Sequence, residues 1–277
     1  MAGTLTRIFS DIHYGDRVSR VRSLKQMRPL LEGVGHLVLN GDTLDTRPGP
    51  APELAAQHRA EVLAFFPSLA PRVTFLTGNH DADISAAHAL DLLDGRFFVT
   101  HGDILHDDIV PWSQDAPLIR PQIAAALAAL PVSERGQLST RLAVWRRVAA
   151  AIPQRHQSES RGWGYAVQFA RDTVWPPSRV WRILRIWRGE PEWAAEFAQV
   201  HRPAAKFIAL GHTHRPGAWR TRNGVVVINT GSFCRPLGGC LIDLTDTRVM
   251  VRRIVSRGGE FWPGETLAEF SLATTGT

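Results

Sequence analysis

The chain has 277 residues, 44% of them hydrophobic, and a formal net charge of +6. That size and apolar content suit one large core, or a core carrying an insertion. No apolar run is long enough to span a bilayer as a helix and the start, "MAGTLTRIFSDIHYGD", lacks a charged-then-apolar signal pattern, so the chain is expected in the cytoplasm. Only Lys25 and Lys206 are lysines, so the positive charge is almost all arginine. Its planar fork suits phosphate and an anionic partner, although a GC-rich genome gives the same bias.

From the N-terminus, "LTRIFS", "HLVLNG", "RVTFLTG" and "RFFVTHG" are short β-branched or aromatic runs, each closing in a polar cluster. Helix-like segments separate the first three, which predicts β-α-β-α-β order with chemistry at the carboxyl ends of the strands. From about Pro111 to Pro203 the pattern changes to helix formers closed by prolines, as in "PQIAAALAALP" and "STRLAVWRRVAAAIP". Seven of the nine tryptophans fall in this interval, and its arginines outnumber its acids. The expected division is therefore a core of residues 1–110 and 204–277 with a helical insertion over 111–203. After the run "FIAL", the segments "GVVVINTGSF", "GCLIDLTD" and "TRVMVRRIVS" read as an antiparallel meander finishing a second sheet. Cys234 and Cys240, six apart, match neither a redox pair nor a zinc ribbon and read as buried thiols. The last residues, "ATTGT", are expected to fray.

Five polar clusters stand at five successive strand ends: "SDIH", "GDTLD", "GNHD", "THGD" and "GHTH". In an extended chain, residues two apart face the same way, so Asp11 pairs with His13 and His212 with His214. This ordered set resembles the calcineurin-like metallophosphoesterases, with D-x-H, G-D-x-x-D, G-N-H-D, a lone His and G-H-x-H, all present between Asp11 and His214. The resemblance implies an α/β fold: a two-sheet β-sandwich flanked by helices, with a pair of divalent ions at one edge. It also implies that Asp11, His13, Asp42 and His214 hold one ion, and that Asp42, Asn79, His101 and His212 hold the other, Asp42 bridging. Imidazole, carboxylate and amide donors without thiolate suit manganese, with iron or zinc as alternatives. By the same resemblance His80 faces the substrate and assists the leaving oxygen, and Asp45 orients its imidazole. Asp81 is expected to cap a following helix, and "NTGSF" to border the site or simply to form a turn around Gly231.

"THGDILHDD", the helical interval and "GHTHRP" together are similar to the bacterial pyrophosphatases that cleave UDP-2,3-diacylglucosamine, which carry a helical lid at this point. That similarity implies an anionic phosphorylated substrate that is amphiphilic, lipid-linked or UDP-linked. Two features differ: those enzymes usually have Arg in place of His80, and their segment between HGD and DD is one residue longer. In "RVWRILRIWR" a helical projection puts Arg179, Arg182, Arg185 and Arg188 on one half, and Val180, Ile183, Leu184, Ile186 and Trp187 on most of the other, with Trp181 near the border. Such a helix suits an anionic membrane surface on which the protein sits peripherally, or equally a surface helix packed on its own domain. The expected activity is hydrolysis of a phosphoester or pyrophosphate. The alternatives are a nuclease or nucleotide phosphodiesterase, with nucleic acid disfavoured because the charge is concentrated in the helical interval, and a non-catalytic protein-binding scaffold on the same fold.

Overall fold

The central strands are buried at consecutive positions, alternate residues packing on opposite faces of their sheet. The computed structural model describes residues 4–113, 115–154 and 177–272. β1 (Thr6–Phe9), β2 (His36–Asn40) and β3 (Arg72–Leu76) pair in parallel. Ile8 and Val38 point inward to the opposing sheet. Their neighbours Phe9, Leu37 and Leu39 point outward, against a 3-10 helix at Leu24–Leu30 and α1 (Pro52–Phe65). In the second sheet β5 (Phe97–Thr100), β6 (Phe207–Leu210) and β8 (Val226–Asn229) are parallel, between antiparallel edges β4 (Ala89–Leu92) and β7 (Gly217–Arg220). Here Val99, Ala209 and Ile228 point inward, and Phe98, Ile208 and Val227 point outward. Each such side chain, fully buried, contributes about 1.5–3 kcal/mol. The result is two mixed sheets packed face to face with helices outside, the architecture expected from the motif order.

The C-terminal strands correct the sequence reading. β9 (Cys240–Leu244), β10 (Arg248–Arg257) and β11 (Glu260–Ser271) do form an antiparallel meander, but it extends the first sheet, in the order β11-β10-β9-β1-β2-β3. The chain crosses between sheets after β8, so "GVVVIN" and "GCLIDL" lie on opposite sides of the core. β4, β7 and β11 are additional strands. β11 holds Pro263 beside a register shift, which an edge strand tolerates because one side of its ladder is unpaired.

Between β5 and β6 lie α2 (Ala116–Ala128), α3 (Val132–Arg135), α4 (Leu138–Ala150) and α5 (Pro177–His201). Ile119, Leu142, Trp145, Ala194 and Ala198 pack on the outer face of the second sheet. The buried Trp145 indole donates to the His106 carbonyl at 3.0 Å, so the polar end of a large apolar side chain is satisfied. At the start of α5 the expected apolar face is only partly covered: Ile186 is buried, yet Leu184 is 46% and Trp181 72% exposed. Cys234 and Cys240 are free and buried. Among the described residues no helix is long and apolar enough to cross a membrane. Trp163, Trp175, His156 and the terminal "ATTGT" lie outside the described residues.

Candidate metal centre

The five motif loops leave the carboxyl ends of β1, β2, β3, β5 and β6 at one edge of the sandwich. There they bring together Asp11, His13, Asp42, His101, His212 and His214 in two sets with ligating atoms within 4.8 Å: Asp11 with His13 and His214, and Asp42 with His101 and His212. A third set joins His13, Asp42 and His80, so Asp42 belongs to two groups. His13 Nε2 is 3.2 Å from His214 Nε2, His214 Nε2 is 3.1 Å from Asp11 Oδ1, and His101 Nε2 is 3.3 Å from Asp42 Oδ2.

Crowding so many polar groups requires an unusual backbone. Asp11, His13, Asp42, His212 and His214 all have φ between +49° and +67°. Left-handed backbone of this kind costs of order 1–3 kcal/mol per residue unless the surroundings enforce it. They are enforced by local hydrogen bonds: Asp11 N–H donates to Gly41 O, His13 N–H to Asp42 O, and His212 N–H to the Asp11 carboxylate. Two glycines make room. A Cβ on Gly78 would stand 2.2 Å from Asp42 Oδ1, and one on Gly211 2.3 Å from Asp11 Oδ2.

The free atoms identify what the edge is built to hold. His101 Nδ1 donates to the Asn40 carbonyl at 2.9 Å, which orients the ring so that its buried Nε2, without a hydrogen-bond partner, faces Asp42 at 3.3 Å. Asn79 Oδ1 is likewise buried without a hydrogen-bond partner, as is His13 Nδ1. His212 Nε2 is 2.8 Å from the Ile109 carbonyl, so its Nδ1 is the nitrogen left for a ligand role. Buried acceptors without donors are costly. Divalent cations would satisfy His101 Nε2 and Asn79 Oδ1, with His13 ligating through the Nε2 that faces His214 and Asp11, so the residues present fit a metal pair.

Electrostatics point the same way. Burial opposes ionisation of Asp11 and Asp42. For Asp11 the charge of His214 and hydrogen bonds from His13 and His214 outweigh it, and for Asp42 the His101 and His80 charges do, holding both carboxyls well below the usual range. His13 is pushed up to about 9, since its Asp11 and Asp42 contacts outweigh burial. His212 is driven well below its ordinary value by burial and by His101.

His80 stands beside this cluster, its Nε2 4.0 Å from Asp42 Oδ2 and its ring 4.9 Å from that of His13, edge to face. Its Nδ1 is 3.0 Å from Asp45 Oδ2. The same carboxylate takes Arg47 Nε and Nη2 at 3.0 and 2.7 Å, and Nη2 also reaches His80 Nδ1 at 2.8 Å. Burial and the Arg47 charge lower the His80 pKa against the pull of Asp42 and Asp45. Arg47 was not legible as a site residue, because nothing in "GDTLDTR" sets it apart from the chain's many other arginines.

Asp81 corrects an expectation: no helix follows it, and it caps none. Fully buried, its carboxylate accepts backbone N–H groups from Gly78 (2.7 Å), Asp42 (3.0 Å) and Thr43 (2.7 Å), tying the second motif loop to the third. Burial and the Asp42 charge push its pKa up to about 7 against these donors. The "NTGSF" segment lies behind Asp11, where Phe233 N–H donates to the Asp11 carbonyl and Thr230 Oγ1 meets Ser10 Oγ at 2.6 Å.

Comparison with known proteins decides the family. A family model, calcineurin-like phosphoesterase, matches residues 6–216. The chain belongs to the calcineurin-like phosphoesterase family. No curated protein matches it. Solved structures with a similar fold include a predicted phosphoesterase of Streptococcus pneumoniae (16% identity, 98% of this chain and 99% of that one, TM-score 0.43). Vps29 of Chaetomium thermophilum (11%, 99% and 98%, 0.47) and a dimetal phosphatase from Danio rerio (11%, 99% and 100%, 0.46) are others. The span matched by the family model contains all five motif loops.

Proposed function

We propose that the chain is a dinuclear metal-dependent hydrolase of a phosphoester or pyrophosphate bond. The observation that carries this reading is the convergence of Asp11, His13, Asp42, His101, His212 and His214 at one edge, with the buried His101 Nε2 and Asn79 Oδ1 lacking a hydrogen-bond partner. Asp11, His13, Asp42 and His214 would hold one ion; Asp42, Asn79, His101 and His212 would hold the other. A bound pair supplies Lewis-acid activation of the phosphoryl group and an acidified water for in-line attack. Manganese is the proposed occupant, since the donors are imidazole, carboxylate and amide without thiolate.

The protein's own groups complete the site. His80, with Nδ1 against Asp45 and Arg47, presents Nε2 beside Asp42. In that position it serves the leaving oxygen, as a hydrogen-bond donor or general acid, an effect of about two to four powers of ten in rate. Arg47, anchored by its two bonds to Asp45, donates to Nδ1, which orients the ring and leaves the proton on Nε2.

For the substrate we propose an amphiphilic phosphorylated molecule, with the helices over 111–203 acting as a cap on a core of 1–110 and 204–277. A cavity of about 600 Å³ lies between α2, α5 and the loop after β5, lined by Arg120, Arg182, Arg185, His106, Ile186 and Trp193 among others. Arg120 pairs with Asp108 and Arg182 donates to the Pro111 carbonyl. Arg185 has no partner among the described residues. Cationic and aromatic lining of this kind suits an anionic head group next to apolar chains. The exposed Trp181 and Leu184, beside Arg185 and Arg188, support peripheral contact with an anionic membrane surface.

Purified protein loaded with manganese should release product from one member of a panel holding UDP-diacylglucosamine, a phospholipid monophosphate, a cyclic nucleotide and single-stranded DNA. Turnover of the DNA or the cyclic nucleotide alone would replace the amphiphilic substrate. Absence of turnover on every member and on a small chromogenic phosphodiester would refute the hydrolase.

A further inference from the structure

Pro191 sits inside α5. Proline has no N–H, so the carbonyl of Trp187, one turn earlier, loses its helical donor. Arg215 Nη1 donates to that carbonyl instead, and Arg215 directly follows His214. The Trp187 indole then donates to the Thr213 carbonyl at 3.0 Å. Thr213 lies between His212 and His214, and its hydroxyl donates to the Glu190 carboxylate, 2.9 and 3.0 Å from the two oxygens. Asn229 Nδ2, 3.2 Å from Glu190 Oε2, also donates to the Gly211 carbonyl at 2.7 Å. One turn of α5 thus grips the loop Gly211–Arg215 at its middle and its end, and through Asn229 at its start.

Glu190 is an expensive residue in that place. It is 1% exposed, and desolvating a carboxylate is unfavourable unless hydrogen bonds compensate. Burial pushes it up to about 7 even with the Thr213 and Asn229 bonds. Thr213 and Asn229, its hydrogen-bond partners, both act on the one loop that carries two left-handed histidines, φ +67° and +58°. A side chain needed only to fill space there would be better apolar.

We propose that Glu190 is a positioning residue of the metal centre, acting through the Thr213 hydroxyl to hold His212 and His214 in ligating geometry. The helical stretch then serves the ligands as well as any substrate. This rests on the dinuclear reading above.

The test is calorimetric titration of metal-free, full-length protein with Mn²⁺ alone, alongside thermal melting in chelator to show that each variant is folded. Wild type should bind two ions. Glu190→Ala and Thr213→Val should each weaken binding of at least one ion by about 10- to 100-fold, the usual effect of removing a group that orients a ligand. The double variant should be no worse than the poorer single one, because both changes break one link. Glu192→Gln, on the same helix and outside this network, should bind as wild type. Thr213→Val is nearly isosteric, so it carries the test if Glu190→Ala fails to fold. Folded variants with wild-type Mn²⁺ affinity would overturn the proposal and leave Glu190 a packing residue. Wild type that binds no Mn²⁺ would overturn the metal reading itself, a distinct result.

Discussion

The metal edge and the helical stretch between β5 and β6 are built by different rules. At the edge, single atoms matter: Asp81 accepts three named N–H groups, a Cβ on Gly78 would strike Asp42, and five ligand-type residues hold left-handed backbone. In the helices, pattern matters. Ile119, Leu142 and Ala198 meet the sheet as one apolar face, and other apolar residues of similar volume would serve. Where chemistry dictates residue identity the sequence carries a readable motif, and where packing dictates only polarity it carries a periodicity.

The sharpest way to break this contrast is at Asp42. Asp42→Asn keeps the shape and the acceptor for His80 N–H (2.8 Å) but removes the charge that two of the ligand groups share, so turnover should fall to the uncatalysed background while the melting profile in chelator stays near wild type. A variant with near wild-type rate would show that the edge is no more exacting than the helices. Next in size is His80→Ala, expected to lower the rate by about two to four powers of ten with two ions still bound by elemental analysis. Loss of an ion would mean that His80, which shares a cluster with His13 and Asp42, is itself a ligand.

The helical side is tested by charge. Arg185→Glu with Arg188→Glu spares Arg182 and its bond to the Pro111 carbonyl. Sedimentation with anionic vesicles at low salt, where attraction is least screened, should drop, and turnover of an acylated substrate should fall at least about tenfold more than that of a small phosphodiester. Equal losses on both substrates would sink the cap reading. The smallest effect concerns His88, half-buried, which burial and then Arg146 lower from 6.5 to about 4. Between those values the unfolded chain binds the proton that the folded one refuses, so stability present above pH 6.5 is lost as pH falls toward 4. Thermal midpoints across that window should show a shallower acid decline in His88→Asn.

How far the sequence could be read follows the same division. The motif order located the loops because each ligand type is dictated by the chemistry, and short β-branched or aromatic runs such as "LTRIFS" and "HLVLNG" exposed the strands. The change of sheet between β8 and β9 was hidden, since both are short apolar runs and pairing partners leave no local mark. β11 was hidden by Pro263 and Gly264, residues that ordinarily end a strand. Asp81 was misread because a carboxylate receiving N–H groups from distant loops has the same local sequence as one capping a helix. Leu184 was placed on the apolar half of its helix, and its 46% exposure was not legible because helical phase does not show how much of that half the domain covers.

Asn40 gives the metal edge a thermodynamic meaning. Its side chain donates to Thr100 O at 2.9 Å, and its carbonyl receives His101 Nδ1, so one residue stitches the end of β2 to the end of β5 across the seam of the sandwich. The ligand-type residues straddle that seam too: Asp11, His13, Asp42 and Asn79 follow strands of the first sheet, and His101, His212 and His214 follow strands of the second. Any ion pair held there would bind only the state in which the two sheets are in register. Binding free energy then adds to folding free energy, about 2.7 kcal/mol for a single site at a hundredfold excess over its Kd. Ions held at this edge would double as a reversible cross-link, and chelation would loosen the sandwich where its two halves meet.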